Sequence, residues 1–569
     1  MDVLIIIVFI IAALFAAVII NMISNRRKIK RFELKLRKNF GKISRIEYNP
    51  EKSSSYRGLF IRLFNDSDFF VDDITWNDAE GETLYTSINK CYSSCGDEFL
   101  YYSLRHINPD ISKEEKDLYV SQTDELIKNE DLRVNLQLKF AMLGKTGKYS
   151  VFDYINFLSD VKRIPLIFFF AIWAVYALII ASFFFDVTLG VCLLIIWMIV
   201  CVFIYLYNHK KVEEYQTSFE YIVRTLVTAE KVAGMKVPFY EKENKRLIEL
   251  RKEMRSVKTS YLSFIKQSNR TGIADMMSGI SALFNCFFMI DLFFFHLMLK
   301  NVTDKDDIYE EIFRILGKME SQISIANLKA SFENTCVPEF SDKKIISGKD
   351  MIHPLVKNCV PNSFEEERGM LITGSNASGK STFLRSVLVN SILSETVFVA
   401  CAKEFTIKPS ELYSSMSLKD SLESGESYYM AEINSIKRIM DAKDSGRQII
   451  CFLDEVLRGT NTVDRVAAAS EILRYLTGEN VITFAATHDI ELTYLIEDVY
   501  DNYFFREEMV KEEEKEDIYF SYLINKGRSE TRNALLLLKI KGYPKEVFEN
   551  AQTLSNGFLK TGKWQYDEG

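Results

Sequence analysis

Gly374-Ser-Asn-Ala-Ser-Gly379-Lys380-Ser381 is the stretch that most narrows what this chain can fold into. Its spacing is G-x-x-x-x-G-K-[ST], with apolar Met370, Leu371 and Ile372 before it and FLRSVLVNSIL after it. A glycine-rich turn between a buried strand and a helix aims backbone N–H groups and the helix N-terminus at phosphate. The fold class expected here is therefore an α/β P-loop domain. In that reading Gly374, Ser375, Asn376, Ala377, Ser378, Gly379 and Thr382 form the loop, Lys380 reaches the β- and γ-phosphates of ATP, and the Ser381 hydroxyl ligates Mg2+.

Such a site needs an apolar strand ending in acids, and Ile449-Ile-Cys-Phe-Leu453 followed by Asp454-Glu455 supplies one. Asp454 is expected to hold the metal, directly or through water. Glu455, one residue past it, is placed to polarise the attacking water. A further apolar strand, Val481 to Ala486, ends in Thr487-His488-Asp489, and a His at the carboxyl end of a strand beside the cleft can touch the γ-phosphate.

A second constraint comes from apolar runs. Val3 to Ile23 carries no charge over 21 residues, about 31 Å as a helix, which is enough to cross a bilayer. Only Asp2 precedes it, whereas Arg26, Arg27, Lys28, Lys30, Arg31, Lys35, Arg37 and Lys38 follow, the pattern of an anchor whose C-terminal end is cytoplasmic rather than of a cleaved leader. Pro165 to Tyr207 reads as two spans divided by Asp186-Val-Thr-Leu-Gly190. Lys162 and Arg163 lie before it and His209, Lys210 and Lys211 after it, so the hairpin enters from and returns to the cytoplasm. Met277 to Leu299 is nearly as apolar but contains Asp291 and His296, which are costly in lipid, and a fourth span would put the nucleotide site outside; a buried helix is expected, with a re-entrant or interfacial helix as the lesser option. The expected location is a multi-pass cell-membrane protein with three spans and a cytoplasmic ATPase domain.

Length bounds the remainder: 569 residues exceed one core. The net charge of −7 argues against a generally basic nucleic-acid coat. Cys91 and Cys95 form the only close cysteine pair, no second Cys/His pair follows, and reduced thiols rather than zinc ligands are expected. Lys511 to Asp517 reads as a solvated hairpin tip between two strands.

Together these pieces resemble the ATPase domain of the MutS family, a branch of the ABC-type ATPases. His353-Pro354-Leu355 and Val360-Pro361-Asn362 resemble the segments leading into the nucleotide loop, and the loop has the family's G-x-N-x-x-G-K-S-T form. Ser424-Gly-Glu-Ser427-Tyr-Tyr-Met-Ala-Glu432 is similar to the signature S-G-R-S-T-F-M-x-E, with Glu426 where Arg is usual. Asp454 to Thr462 matches D-E-x-x-R-G-T-x-T, Ala486 to Thr493 matches A-T-H-x-x-E-L-T, and Ser529 to Ala534 with Gly542-Tyr-Pro544 fits the helical tail. Upstream, Asp73 to Arg105 resembles the opening of the family's helical core, with Cys91 and Ser93 in place of two threonines ahead of Gly96.

The resemblance implies an ABC-type P-loop ATPase domain (346–569) beside an all-α core and lever region, split into 24–164 and 208–345 by the hairpin 165–207, with the anchor at 1–23. It implies Mg2+-dependent ATP hydrolysis by a homodimer in which Ser427 acts in trans on the partner's nucleotide. A mismatch-reading domain is not expected, because the stretch ahead of the core is short and the Phe-x-Glu at Phe505-Arg-Glu507 lies near the C-terminus. Two functional readings follow: an ATPase coupled to mismatched, branched or damaged DNA, or a mechanical transducer acting on membrane or protein partners without DNA.

Overall fold

The computed structural model describes residues 2–43, 50–65, 68–147, 149–159, 161–257, 286–375, 378–416, 428–512, 515–528, 535, 538, 542–561 and 564. The chain divides into two compact units. One comprises Met1–Phe64, Ile88–Tyr102 and Asp117–Ser331; the other comprises Asn65–Ser87, Ser103–Lys116 and Phe332–Gly569.

Every regular element described in the first unit is a helix. It opens with the helix Asp2–Asn39, which carries the first apolar run without a break into the basic segment; the side chains before residue 19 lie outside the described set. Leu166–Ser182 and Val187–Gly234 form the apolar hairpin. Asp186 separates them because its carboxylate accepts from the Thr188 and Leu189 N–H groups at 2.7 and 3.2 Å, capping the second helix. That second helix runs 48 residues, so the apolar segment and the charged segment beginning at His209 are one rod of about 72 Å. Among the described residues one segment is long and apolar enough to cross a membrane by length and composition: Val187–Asn208, 22 residues of mean hydropathy 3.0. Leu166–Ser182 is apolar but shorter, at 17 residues.

The helix Asp306–Ala330 runs through this unit with its C-terminal half almost wholly buried. Its Glu320 accepts the Tyr92 N–H at 2.6 Å and the Ser93 hydroxyl, holding the start of the helix Ser94–Arg105. Burial pushes the Glu320 carboxyl up to about 8. Cys91 and Cys95 are buried free thiols in the same knot, and Cys91 contacts the Ser324 hydroxyl at 3.3 Å. Burial raises both thiols well above their usual range, so they are held neutral. Of the run 277–299, residues before 286 lie outside the described set; residues 286–288 are helical, and after a break at Met289 the helix Ile290–Thr303 buries both Asp291 and His296.

The second unit is α/β. Its strands are β1 (Phe69–Phe70), β2 (His106–Ile107), β3 (Glu339–Phe340), β4 (Ile346–Met351), β5 (Asn362–Glu366), β6 (Gly369–Thr373), β7 (Glu404–Ile407), β8 (Glu411–Ser415), β9 (Ile449–Asp454), β10 (Val481–Ala486), β11 (Asp501–Glu512) and β12 (Lys515–Lys526). The main sheet has order β12-β11-β6-β10-β9-β8, parallel from β11 to β8 and closed by the antiparallel β11–β12 hairpin. A smaller sheet has order β3-β7-β4-β5. The residues of β6 and β10 are buried throughout, as are the first five of β9, which fits their continuous apolar sequences in a parallel sheet covered on both faces. Phe452 and Phe484 stack across β9 and β10 with ring centroids 5.3 Å apart. Of the expected hairpin tip Lys511 to Asp517, Glu513 and Glu514 lie outside the described residues; β11 runs to Glu512 and β12 from Lys515, further than their apolar cores indicate.

Candidate nucleotide site

Register builds the site. Ala486 is opposite both Asp454 and Ile372, so β6, β9 and β10 end at one level and deliver the loop, the acid pair and the Thr487-His488 turn to one edge. The helix Lys380–Val397 starts directly after the loop, with Gly379 as its N-cap at φ +109°. A Cβ on Gly379 would stand 3.3 Å from Tyr522, and one on Gly374 (φ +147°) would stand 2.9 Å from the Ser378 hydroxyl. Both positions require glycine for conformation as well as space.

Lys380 is 5% exposed although charged, and its ammonium donates to the Gly374 and Ser375 carbonyls at 2.7 and 2.9 Å. His488 Nε2 lies 3.4 Å from that ammonium and 2.9 Å from Glu455 Oε1. Burial, with Lys380 adding to it, pushes the His488 imidazole below its ordinary value, while Glu455 opposes the shift. A largely neutral imidazole therefore sits between an ammonium and a carboxylate. The Ser381 hydroxyl bonds the Asp454 carboxylate, and burial raises that carboxyl while the bond pulls it down. A hydroxyl beside a carboxylate is the hard-oxygen donor set that suits Mg2+, which keeps most of its other positions for water and phosphate oxygens.

The turn after β9 is strained. Glu455 and Leu457 both adopt left-handed backbone, at φ +57° and +58°, which costs a non-glycine residue about 1–3 kcal/mol. Two anchors hold it. Glu455 N–H donates to the Ala486 carbonyl at 2.9 Å, and the buried Glu432 carboxylate accepts from the Leu457 and Arg458 N–H groups at 2.6 and 3.3 Å. Glu432 is the last residue of the signature segment and belongs to the helix Tyr428–Asp444. Arg458 pairs with Glu455 at 2.9 Å, and Arg465 grips Asp489 through two bonds of 2.9 and 2.6 Å.

Two cavities flank these groups. One of about 170 Å³ is lined by Glu455, Val456, Arg458, Arg465, Thr487, His488 and Asp489. Another of about 340 Å³ adjoins the other side of the loop, walled by Met351, Val356, Val360, Asn362, Phe383, Phe505 and Tyr522 with Gly379 and Thr382 at its edge. It is mostly apolar with few polar groups, the character of a site for a flat heterocycle.

The structure thus gathers Gly374, Ser375, Ser378, Gly379, Lys380, Ser381, Thr382, Asp454, Glu455 and His488. Asn376, Ala377 and Ser427 lie outside the described residues, as does Ser529 to Ala534. Motif spacing assigns no task to Glu432, Arg458, Arg465 or the Asn362–Tyr522 wall. Glu432 and Arg458 stand inside recognisable motifs, but the backbone N–H groups that Glu432 accepts belong to another motif, which only folding brings near.

Residues 370–558 match the family model described as MutS domain V. The chain is 30% identical over 270 residues to the DNA mismatch repair protein MutS of Caldicellulosiruptor saccharolyticus, covering 44% of this chain and 31% of that protein. It is 32% identical over 232 residues to the DNA mismatch repair protein MutS of Prochlorococcus marinus, covering 39% and 25%. With the DNA mismatch repair protein MSH3 of Debaryomyces hansenii the identity is 27% over 282 residues, covering 46% and 27%. The matched stretches therefore span about a third or less of these relatives.

Proposed function

We propose, from the premise that this chain belongs to the MutS family through its nucleotide-binding domain, that it is a membrane-anchored ATPase working as a homodimer and coupling ATP turnover to DNA. The observation that carries the ATPase reading is the convergence of Lys380, Ser381, Asp454, Glu455 and His488 at one sheet edge. Lys380 leaves the loop carbonyls for the β- and γ-phosphate oxygens. Ser381 and Asp454 would hold Mg2+, which when bound would neutralise phosphate charge. Glu455 accepts a hydrogen bond from water and lines up its oxygen with the γ-phosphorus, and His488, beside both Lys380 and Glu455, touches the γ-phosphate. The water oxygen bonds to the γ-phosphorus as the bond to the bridging oxygen breaks, and the water proton passes by way of Glu455 to the released phosphate, leaving ADP and inorganic phosphate. The apolar cavity walled by Tyr522 and Phe505 takes the base. Ser427 of each subunit completes the other's site.

The membrane reading rests on the three apolar runs and their basic flanks, with Val187–Asn208 meeting the length and composition of a span. One observation favours the second reading, a transducer acting on membrane or protein partners: the unbroken helix Val187–Gly234 can carry displacement between bilayer and helical core.

ATP turnover in nanodiscs, measured with homoduplex, mismatched and branched DNA over a salt series and with Glu455→Gln as the inactive control, separates the readings. Stimulation by a DNA structure supports DNA coupling. A rate indifferent to every DNA yet lost in the control shifts the function to the transducer, and a rate unchanged in the control refutes the site.

A further inference from the structure

The helix Ile290–Thr303 begins at a break. Met289, its N-cap, is in left-handed conformation at φ +51°, and residues 286–288 before it are helical. Such a break takes carbonyls out of the helical ladder. Side chains of the apolar helix Leu166–Ser182 meet them: Trp173 Nε1 donates to the Phe288 carbonyl at 2.8 Å, and the Tyr176 hydroxyl donates to the Phe287 carbonyl at 3.2 Å. Trp173 and Tyr176 lie seven and ten residues past Leu166, about 10 and 15 Å along the helix axis. Half of a hydrocarbon core is about 15 Å.

The contacts that follow run outward in order. The Tyr205 hydroxyl donates to Asp291 Oδ2 at 2.7 Å, and Tyr205 is three residues, about 4.5 Å, from the Asn208 end of the apolar window. The Ile164 N–H donates to His296 Nδ1 at 3.4 Å, just ahead of the apolar helix. Phe287, Phe288, Asp291 and His296 are therefore matched to successively shallower positions on the hairpin. Phe293 packs its ring on Phe169, Phe170 and Trp173 along the way. Lys300, the first basic residue after this run, is exposed.

We propose, on the membrane reading given above, that residues 286–299 enter the cytoplasmic half of the bilayer as a re-entrant element against the hairpin, and that half-buried Phe293, Phe294 and Leu297 face acyl chains. Irregular backbone at that depth is stable only where protein groups take its polar atoms, which Trp173 and Tyr176 do. A carboxylate there needs burial and a donor, and Asp291 is 6% exposed with Tyr205 on it. This sets the run apart from a helix of a soluble core, for which no contact order with respect to the apolar hairpin is required.

The test is depth. Full-length chains keeping a single cysteine (native Cys286, native Cys192 in the apolar window, or Lys545→Cys on an exposed helix) are spin-labelled in nanodiscs and probed with oxygen and a nickel chelate. Cys286 and Cys192 are expected to favour oxygen by several-fold over the chelate, and the Lys545→Cys label the reverse. If Cys286 behaves as Lys545→Cys does while Cys192 stays in lipid, the re-entrant element is overturned and the membrane reading stands. If Cys192 is also reached by the chelate, the membrane reading falls and takes this inference with it. The unmodified chain gives a second readout free of folding effects: a phospholipid with a diazirine on its acyl chain should label peptides from 286–299, and label confined to 166–208 overturns the proposal.

Discussion

Glu432→Ala removes the carboxylate that clamps the turn carrying Glu455. Its Oε1 accepts the Leu457 and Arg458 N–H groups at 2.6 and 3.3 Å, and both Glu432 and Leu457 are 5% exposed. Alanine leaves the buried Leu457 N–H without its acceptor and opens a void, and hydrogen bonds to charged groups are worth about 1.5–3 kcal/mol each, so the turn should lose ~2–4 kcal/mol. Two left-handed residues in that turn then have less to hold them, Glu455 moves, and a displacement of ~1 Å can cost about 100-fold in rate. The expected result is kcat down roughly 10- to 100-fold, with ATP affinity within about threefold of wild type because the Lys380 loop is untouched. Glu432→Gln keeps one carbonyl acceptor. The other carboxylate oxygen of Glu432 is buried without a hydrogen-bond partner among the described residues, and burial already raises the group toward its neutral form. Glutamine should therefore recover most of the turnover. Steady-state turnover, nucleotide binding by a fluorescent analogue and denaturant melts on the three proteins separate the effects. Turnover of folded Glu432→Ala within about threefold of wild type, or affinity falling in step with kcat, would refute the clamp.

Glu455→Gln should lower turnover by about 100- to 10,000-fold and leave ATP binding intact, read by single-turnover assay beside equilibrium binding. Gly379→Ala places a Cβ 3.3 Å from Tyr522 at φ +109°, so ATP affinity should fall at least about tenfold by calorimetry; unchanged affinity would contradict the loop geometry. Glu395 is buried, accepts the Ser410 N–H at 3.0 Å, and is pushed by burial up to about 8. Its raised folded-state pKa means that the stability it contributes is full below the unfolded value and lost as pH rises through about 8. Between pH 5 and 8 the thermal midpoint of the wild type should therefore fall relative to Glu395→Gln, and parallel midpoints would count against the buried acid.

Local order carried much of this protein in plain view. The phosphate loop is a run of adjacent residues between an apolar strand and a helix, and backbone geometry alone makes Gly374, Gly379, Lys380 and Ser381 legible there. The acid pair after Ile449–Leu453 and the histidine after Val481–Ala486 follow from the same rule, since strand ends in a parallel sheet deliver their next residues to one edge. Hydropathy likewise delimited the hairpin, and Asp186 turned out to be its cap. What linear order could not hold were contacts between distant residues. That Glu432 holds the Glu455 turn, and that Trp173 and Tyr176 take carbonyls from Phe288 and Phe287, depend on side chains meeting backbone across more than twenty positions. The joining of residues 65–87 and 103–116 to the nucleotide-binding unit is of the same kind. Periodicity reports which face of an element is apolar; it does not report which partner that face or its polar neighbours will find, because the choice is made by packing and hydrogen-bond satisfaction in three dimensions.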